Sequence, residues 1–258
     1  MAIFQGKFLT GVIGKLIFRE LKGKQIVSAK TGKKKIKQTL GTKGASNTFG
    51  LASRLGKNIR AIFQNLVNEN ADDEYVSRLT GELNISLTAS RDFETRIFHF
   101  EKNSFNGLSG FEFNINSPLK KILNLKPKVN LENGNLKVSL PSILSPLKLL
   151  FPLNSTKCKL IVAVGLIRLK DGKRVLNAEK QTLLIEKEKP IPGAMDFLFK
   201  VPDGCLCIVS LFLDYFNDNI PINSKKFNPA IICDAVISPG HFQNLDQRSW
   251  VDMPGLIF

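Results

Sequence analysis

Val129-Asn130-Leu131-Glu132-Asn133-Gly134-Asn135-Leu136-Lys137-Val138-Ser139-Leu140 alternates apolar and polar side chains on either side of an Asn-Gly pair. Alternation with period two places one set of side chains on one face of a strand. Asn-Gly between two such runs marks a tight hairpin, because both central residues of a I′ turn need positive φ. The same arrangement recurs downstream. Lys157 to Leu169, a turn at Lys170-Asp171-Gly172-Lys173, and Val175 to Glu186 read as a second strand pair. Met195 to Val201, a turn at Pro202-Asp203-Gly204, and Cys205 to Phe216 read as a third, with Ala230 to Ile237 as a last strand. Upstream, Phe111-Glu112-Phe113-Asn114-Ile115 also alternates. Repeated hairpins predict an antiparallel β-sandwich over residues 93–237. The three prolines between Pro141 and Pro152 mark a crossover, and a subdivision into two small β subdomains near 141–156 is an open alternative.

Before residue 93 the pattern is helical. Ser46 or Asn47 offers an N-cap, and apolar residues recur at Phe49, Ala52, Leu55, Ile59, Ile62, Phe63, Leu66 and Val67. Ser53, Arg54, Lys57 and Arg60 fall on the opposite side, so a packed stripe and a basic stripe are predicted on one helix. A second helix is read from Asp72 or Asp73 through Tyr75, Val76, Leu79, Leu83 and Leu87, with acids favourable at its start. The predicted class is therefore α+β, with a helical segment over 45–92 between a basic N-terminal β-hairpin arm over 1–44 and the β-rich body.

That arm holds nearly all the net charge. The first sixty residues carry eleven Lys, three Arg and a single acid, Glu20, whereas the remaining 198 carry 23 basic and 21 acidic side chains. Leu16 and Phe18, a turn at Lys22-Gly23, and Ile26 or Val27 describe the hairpin, and the stretch from Ala29 to Thr39 has too little apolar material to pack. Lys33, Lys34, Lys35, Lys37 and Lys43, supported by Lys22, Lys24, Lys30, Arg54, Lys57 and Arg60, form a candidate surface for nucleic-acid phosphates or an acidic partner. The arm contains no Tyr or Trp, so base stacking of the kind single-strand binders use is not indicated. A solvated basic face is the plainer reading of the same residues.

With 258 residues, 43% hydrophobic and 23% charged, the chain can bury a sufficient core without staples. Its N-terminus is a poor secretory signal, and no apolar run approaches the ~20 residues that span a bilayer. Cys158, Cys205, Cys207 and Cys233 lack the spacing of a disulfide framework, which fits a reducing compartment. The expected location is the cytoplasm, or a particle assembled there.

Two loose matches run along the chain. One is Leu9-Thr10-Gly11-Val12-Ile13-Gly14-Lys15-Leu16 with Leu21-Lys22-Gly23-Lys24 and the helix bearing Phe49 and Arg60. The other is Leu160-Ile161-Val162-Ala163-Val164-Gly165, Cys207 to Phe216 and Phe227-Asn228-Pro229-Ala230. On these residues the chain resembles a Bacteroidota family catalogued only as a domain of unknown function, which pairs a Gly-rich N-terminus with β-rich C-terminal repeats. The resemblance implies a shape and an organism group, and no activity.

Chemical motifs give little. Gly11-Val12-Ile13-Gly14-Lys15-Leu16 lacks the spacing of a phosphate-binding loop and the Ser or Thr after its Lys. Cys205 and Cys207 share a strand face, but two-residue zinc spacing is absent and core packing suits apolar strands better. His99 reads as a sheet residue and His241 as an exposed one, with no nucleophile or orienting acid marked for either. No cofactor or metal is predicted. In the tail, residues 238–258, Trp250 and the terminal Leu256, Ile257 and Phe258 either cover the chain's own sheet or dock on a neighbouring subunit. The expected function is a non-enzymatic structural or assembly protein, such as a component of a phage-like particle, whose basic arm meets nucleic acid or an acidic partner. A free sequence-nonspecific nucleic-acid binder is the alternative, and a β-sandwich hydrolase or carbohydrate-binding module ranks third.

Overall fold

A computed structural model describes residues 2–30, 39–67, 70–92, 94–142, 149–189, 193–243 and 246–258. The chain is α+β and divides into two compact units, residues 1–43 and 44–258.

The N-terminal unit is a four-stranded antiparallel meander: β1 (Ala2–Gln5), β2 (Phe8–Ile13), β3 (Leu16–Leu21) and β4 (Lys24–Ala29), paired in that order. The expected hairpin is its second half, β3 and β4. Lys22 and Gly23 at its turn have φ of 52° and 72°, the geometry a I′ turn requires. Two further strands precede it because Gly6-Lys7 and Gly14-Lys15 also close two-residue loops, pairing Gln5 with Phe8 and Ile13 with Leu16. Between β2 and β3 the ladder covers only Gly11–Ile13 against Leu16–Phe18. Beyond it the Gln25 side chain stands in for the missing backbone partner: its Oε1 accepts from Leu9 N at 2.8 Å and its Nε2 donates to Leu9 O at 2.9 Å.

Helix α1 runs from Leu40 to Val67, seven residues earlier than the Ser46 cap predicts. Thr39 supplies the cap instead, its Oγ1 accepting from Thr42 N at 3.2 Å. The buried stripe is Thr48, Ala52, Leu55, Ile59, Ile62, Phe63 and Val67, whereas Phe49 lies outside it and is 54% exposed. Helix α2 (Tyr75–Ala89) follows Asp72, whose carboxylate accepts from Glu74 N and pairs with Arg78. Leu79, Leu83 and Leu87 are buried, and Val76 is exposed. The two helices pack at Gly56, where a Cβ would lie 3.4 Å from Leu83 Cδ1.

After a 3-10 turn at Asn106–Leu108 and a short α3 (Leu119–Ile122) come β5 (Lys128–Glu132), β6 (Asn135–Leu140), β7 (Lys157–Arg168), β8 (Lys173–Val175), β9 (Glu179–Glu186), β10 (Met195–Lys200), β11 (Leu206–Asn217), β12 (Ile220–Pro221), β13 (Ala230–Ile237) and β14 (Trp250–Asp252). β10, β6 and β5 form a small sheet. The large sheet is built on β7 and β11, paired over their full length; β13 and β12 flank β11, and β9 and the β8–β14 pair flank β7. Phe111 to Phe113 adds a further edge to β13, through Gly110 N to Ile232 O and Phe113 N to Ala230 O.

The alternation of β7 and β11 assigns the layers. On one face Gly165, paired with Ile208, receives α1: a Cβ there would lie 2.8 Å from Ile62 Cγ2 and 2.9 Å from Phe63 Cζ. Phe63, Tyr75, Phe111, Phe113 and Phe212 interlock on this side at ring separations of 5.3 to 6.2 Å. On the opposite face lie Val162, Val164, Val209 and Leu211, and Gln181, paired with Val162 on that face, donates its Nε2 to Leu198 O of β10 at 2.6 Å, which places the small sheet there. The expected sandwich is thus present with a helical layer on its outer side. Residues 143–148 of the predicted crossover lie outside the described residues.

The tail is more regular than the sequence suggests. Trp250 to Asp252 pairs with β8, and Met253 N donates to Gly172 O at 2.7 Å. Gly172 has φ of 61° and no room for a Cβ, which would stand 2.6 Å from Leu256 O, so the turn that ends the β7–β8 hairpin is also the seat of the tail.

Candidate docking surfaces and an end cleft

In the N-terminal unit, register puts apolar side chains on both faces of one sheet. Phe4, Leu9, Ile13, Leu16, Phe18 and Val27 share one face, and Ile3, Phe8, Val12, Ile17, Leu21 and Ile26 share the other. The described residues of this unit supply no second layer, and Phe4, Ile3 and Leu21 stay 72%, 65% and 59% exposed. Residues 2–30 carry six bases and one acid, of which Arg19 and Glu20 stand within β3 on opposite faces. Lys7 and Lys15 stand in the first two turns, Lys22 in the third with Lys24 beside it, and Lys30 N donates to Lys15 O. The outer edges of β1 and β4 carry no strand among the described residues. Lys43 is exposed on the first turn of α1. Lys33, Lys34, Lys35 and Lys37 lie outside the described residues.

The basic stripe read on α1 separates into three environments. Lys57 is exposed. Arg54 is exposed too, but its Nε donates to Gly50 O at 3.3 Å and its guanidinium lies over the tail at Gly255, where a Cβ would be 2.7 Å from Nη1. Arg60 is half-buried, with Nη1 enclosed beside Tyr75, and neither that nitrogen nor the enclosed Tyr75 hydroxyl has a hydrogen-bond partner among the described residues. Burial raises the Tyr75 pKa well above the usual phenol range, against the pull of Arg60 and Arg78. Arg60 therefore serves the helix interface more than an open cationic face.

The tail residues offered for docking are mostly used by the chain itself. Leu256 is fully buried, Trp250 sits edge-on to Phe242 at 5.4 Å, and Phe258 meets Phe98 and Phe100 edge-on at 5.1 and 5.4 Å. Only Ile257, 71% exposed, is presented outward.

The thiols are distributed through the core. Burial pushes Cys158, Cys205 and Cys233 up to about 12 and Cys207 higher, so all four hold their protons at neutral pH. Among the described residues no three His, Cys, Asp or Glu side chains come together in a metal-binding group. His99 is exposed beside a bridge between Arg91 and Phe98, and no helix among the described residues is long and apolar enough to cross a membrane.

Sequence reasoning missed a cleft of about 680 Å3 at one end of the sandwich. Its walls come from the β7–β8 turn (Arg168, Lys170, Asp171), the segment at Phe100 and Lys102, and the chain leaving β13 through His241 and Phe242. Arg168 Nε donates to Asp171 Oδ2 at 2.7 Å, and its guanidinium covers the Phe242 ring at 3.5 Å, with Trp250 behind at 5.3 Å. Ser238 Oγ accepts from Cys205 N at 2.9 Å and donates to Pro202 O at 2.7 Å, fixing the β10–β11 turn against the end of β13. No local motif joins positions 102, 168, 170 and 241; only the pairing of β7, β11 and β13 does. No family model and no curated protein matches the chain.

Proposed function

We propose that this chain is a structural assembly protein, with residues 44–258 as its building block and the N-terminal meander as its docking element for an acidic partner. One observation carries this reading: among the described residues the N-terminal sheet is a single layer with apolar side chains on both faces, in a segment, residues 2–30, that carries six bases and one acid. A sheet of this kind gains stability when another layer or strand covers it. Charge of one sign opposes stacking on a second copy and favours a partner of the other sign. A partner protein with an acidic rim around an apolar strip, or an acidic strand added to the edge of β1 or β4, satisfies both demands. A phosphate backbone satisfies only the charge.

A second reading, nucleic-acid binding, is favoured by the lysine run Lys33-Lys34-Lys35 with Lys37 in the sequence and by the exposed Lys57. We place either activity in the cytoplasm or in a particle assembled there, and group the chain with the Bacteroidota family that it resembles.

The test is a titration of the full-length protein, at low and moderate salt, with a fluorescent peptide alternating Val and Glu and separately with a short generic DNA duplex. The assembly reading expects the peptide to bind, and binding to weaken both in Phe4→Ser/Ile13→Ser and in Lys7→Ser/Lys15→Ser. DNA binding that falls steeply with salt and ignores Phe4→Ser/Ile13→Ser would select the second reading. Binding of neither probe would contradict both.

A further inference from the structure

We propose that the end cleft between the β7–β8 turn and the chain leaving β13 binds a small organic anion, a carboxylate or phosphate ester carrying an apolar group. The volume of about 680 Å3 lies in the range of small-molecule sites. The charge in it is one-sided. Lys102, Arg168, Lys170 and His241 line the cleft against a single acid, Asp171. That acid is already committed to Arg168 through the 2.7 Å hydrogen bond, and Arg168 is in turn committed to the rings of Phe242 and Trp250. Lys170 makes no ion pair among the described residues, and Lys102 has only the longer-range field of Asp234, which lies outside the lining. Two lysines thus border one opening without an acid of their own there, an arrangement that an incoming anion neutralises.

The remainder of the lining sets the other half of the ligand. Phe100, Leu131, Leu169 and Ile237 give the cleft an apolar wall, so a bare inorganic ion leaves most of that surface uncovered. The walls are fixed before any ligand arrives. Ile237 N donates to Lys102 O at 3.0 Å, Gly204 N to Ser238 O at 3.2 Å, and the Ser238 hydroxyl ties the β10–β11 turn to the end of β13. Pre-formed walls of this kind reduce the ordering cost of binding. The inference is independent of the N-terminal docking element, since every residue it uses lies within residues 44–258.

The only tryptophan of the chain, Trp250, touches Phe242 on the cleft wall and therefore reports on occupancy. Titrating the full-length protein with phenyl phosphate, benzoate and inorganic phosphate while following Trp250 fluorescence tests the proposal. A saturable change with phenyl phosphate or benzoate is expected, tighter than with inorganic phosphate, and whichever binds tighter identifies the anionic group. In Lys102→Ala/Lys170→Ala the affinity should fall about tenfold or more, the scale of lost charge-assisted contacts. The control Lys120→Ala/Lys121→Ala, on the exposed side of α3, should bind as the parent does. Absence of a saturable change with both aromatic anions overturns the proposal, as does unaltered affinity in Lys102→Ala/Lys170→Ala.

Discussion

Residues 2–30 and the β7–β11 pair are both antiparallel sheet rich in Ile, Leu, Val and Phe, yet they resolve the burial problem differently. In the body, each face of β7 and β11 has a covering layer: α1 and the aromatic cluster on the Gly165 side, the small sheet on the Val162 side. In the meander, both faces carry apolar side chains, none of the twelve is buried, and six of them, Ile3, Phe4, Ile13, Leu16, Leu21 and Val27, stay open to solvent. A sheet is stabilised chiefly by what its faces are packed against, and the hydrogen-bonded ladder alone leaves it marginal. The difference teaches that a layered sheet buries its apolar side chains within its own unit, whereas a single-layer sheet leaves apolar side chains on both faces for another surface to cover.

The largest expected effect breaks the layered side of this comparison. Phe63, on the buried stripe of α1, is fully enclosed against Phe113 and Phe212. Phe63→Ala should cost the body about 3–5 kcal/mol, read by urea unfolding of the full-length chain. Next comes Gly165→Ala, which forces a Cβ against Ile62 and Phe63 and should cost about 1–3 kcal/mol in the same measurement, although alanine is otherwise the better strand residue. A loss near zero in both would mean that α1 is not held on β7.

A smaller effect concerns Asp214, on the helix side of β11 by its register with Lys159. Burial raises its carboxyl pKa, against the opposing pull of Lys159 and Lys180. The folded state then binds a proton more readily than the unfolded state, so this group's stabilisation is complete in acid and is lost as pH rises through the raised pKa. Asp214→Asn should therefore raise the melting temperature at pH 7, with the gain shrinking as pH falls through the raised pKa and gone once pH is below the ordinary carboxylate range. A gain that grows toward acid would reverse the assignment. The smallest effect is expected in the meander, where Phe4→Ser should leave the unfolding free energy of the body unchanged within about 0.5 kcal/mol.

Much of this contrast was legible where a local rule decides. The turns at Asn133-Gly134 and Lys22-Gly23, the spacing of Ala52, Leu55, Ile59, Ile62 and Phe63, and the alternation of Phe111 and Phe113 each predict the element found. The start of α1 was misplaced because Thr39, which caps it, stands before two glycines that read as a break. The tail strand at Trp250 was missed because its partner, β8, is three residues long and 75 positions away. Phe49 and Val76 fit the helical spacing yet face solvent, since periodicity gives a stripe and packing chooses its width. The basic face on α1 narrowed for a similar reason: Arg60 has the right spacing, but the close approach of α2 encloses its guanidinium. The end cleft had no sequence signature, because its charges come from separate hairpin tips and ends.

Hydrogen exchange of the dilute full-length protein, resolved by segment, tests the central claim most directly. Amides of β1 to β4 should exchange at least about a hundredfold faster than those paired between β7 and β11, and should gain protection only when an acidic partner is added. Protection of β1 to β4 equal to that of β7 and β11 in the isolated chain would contradict the account.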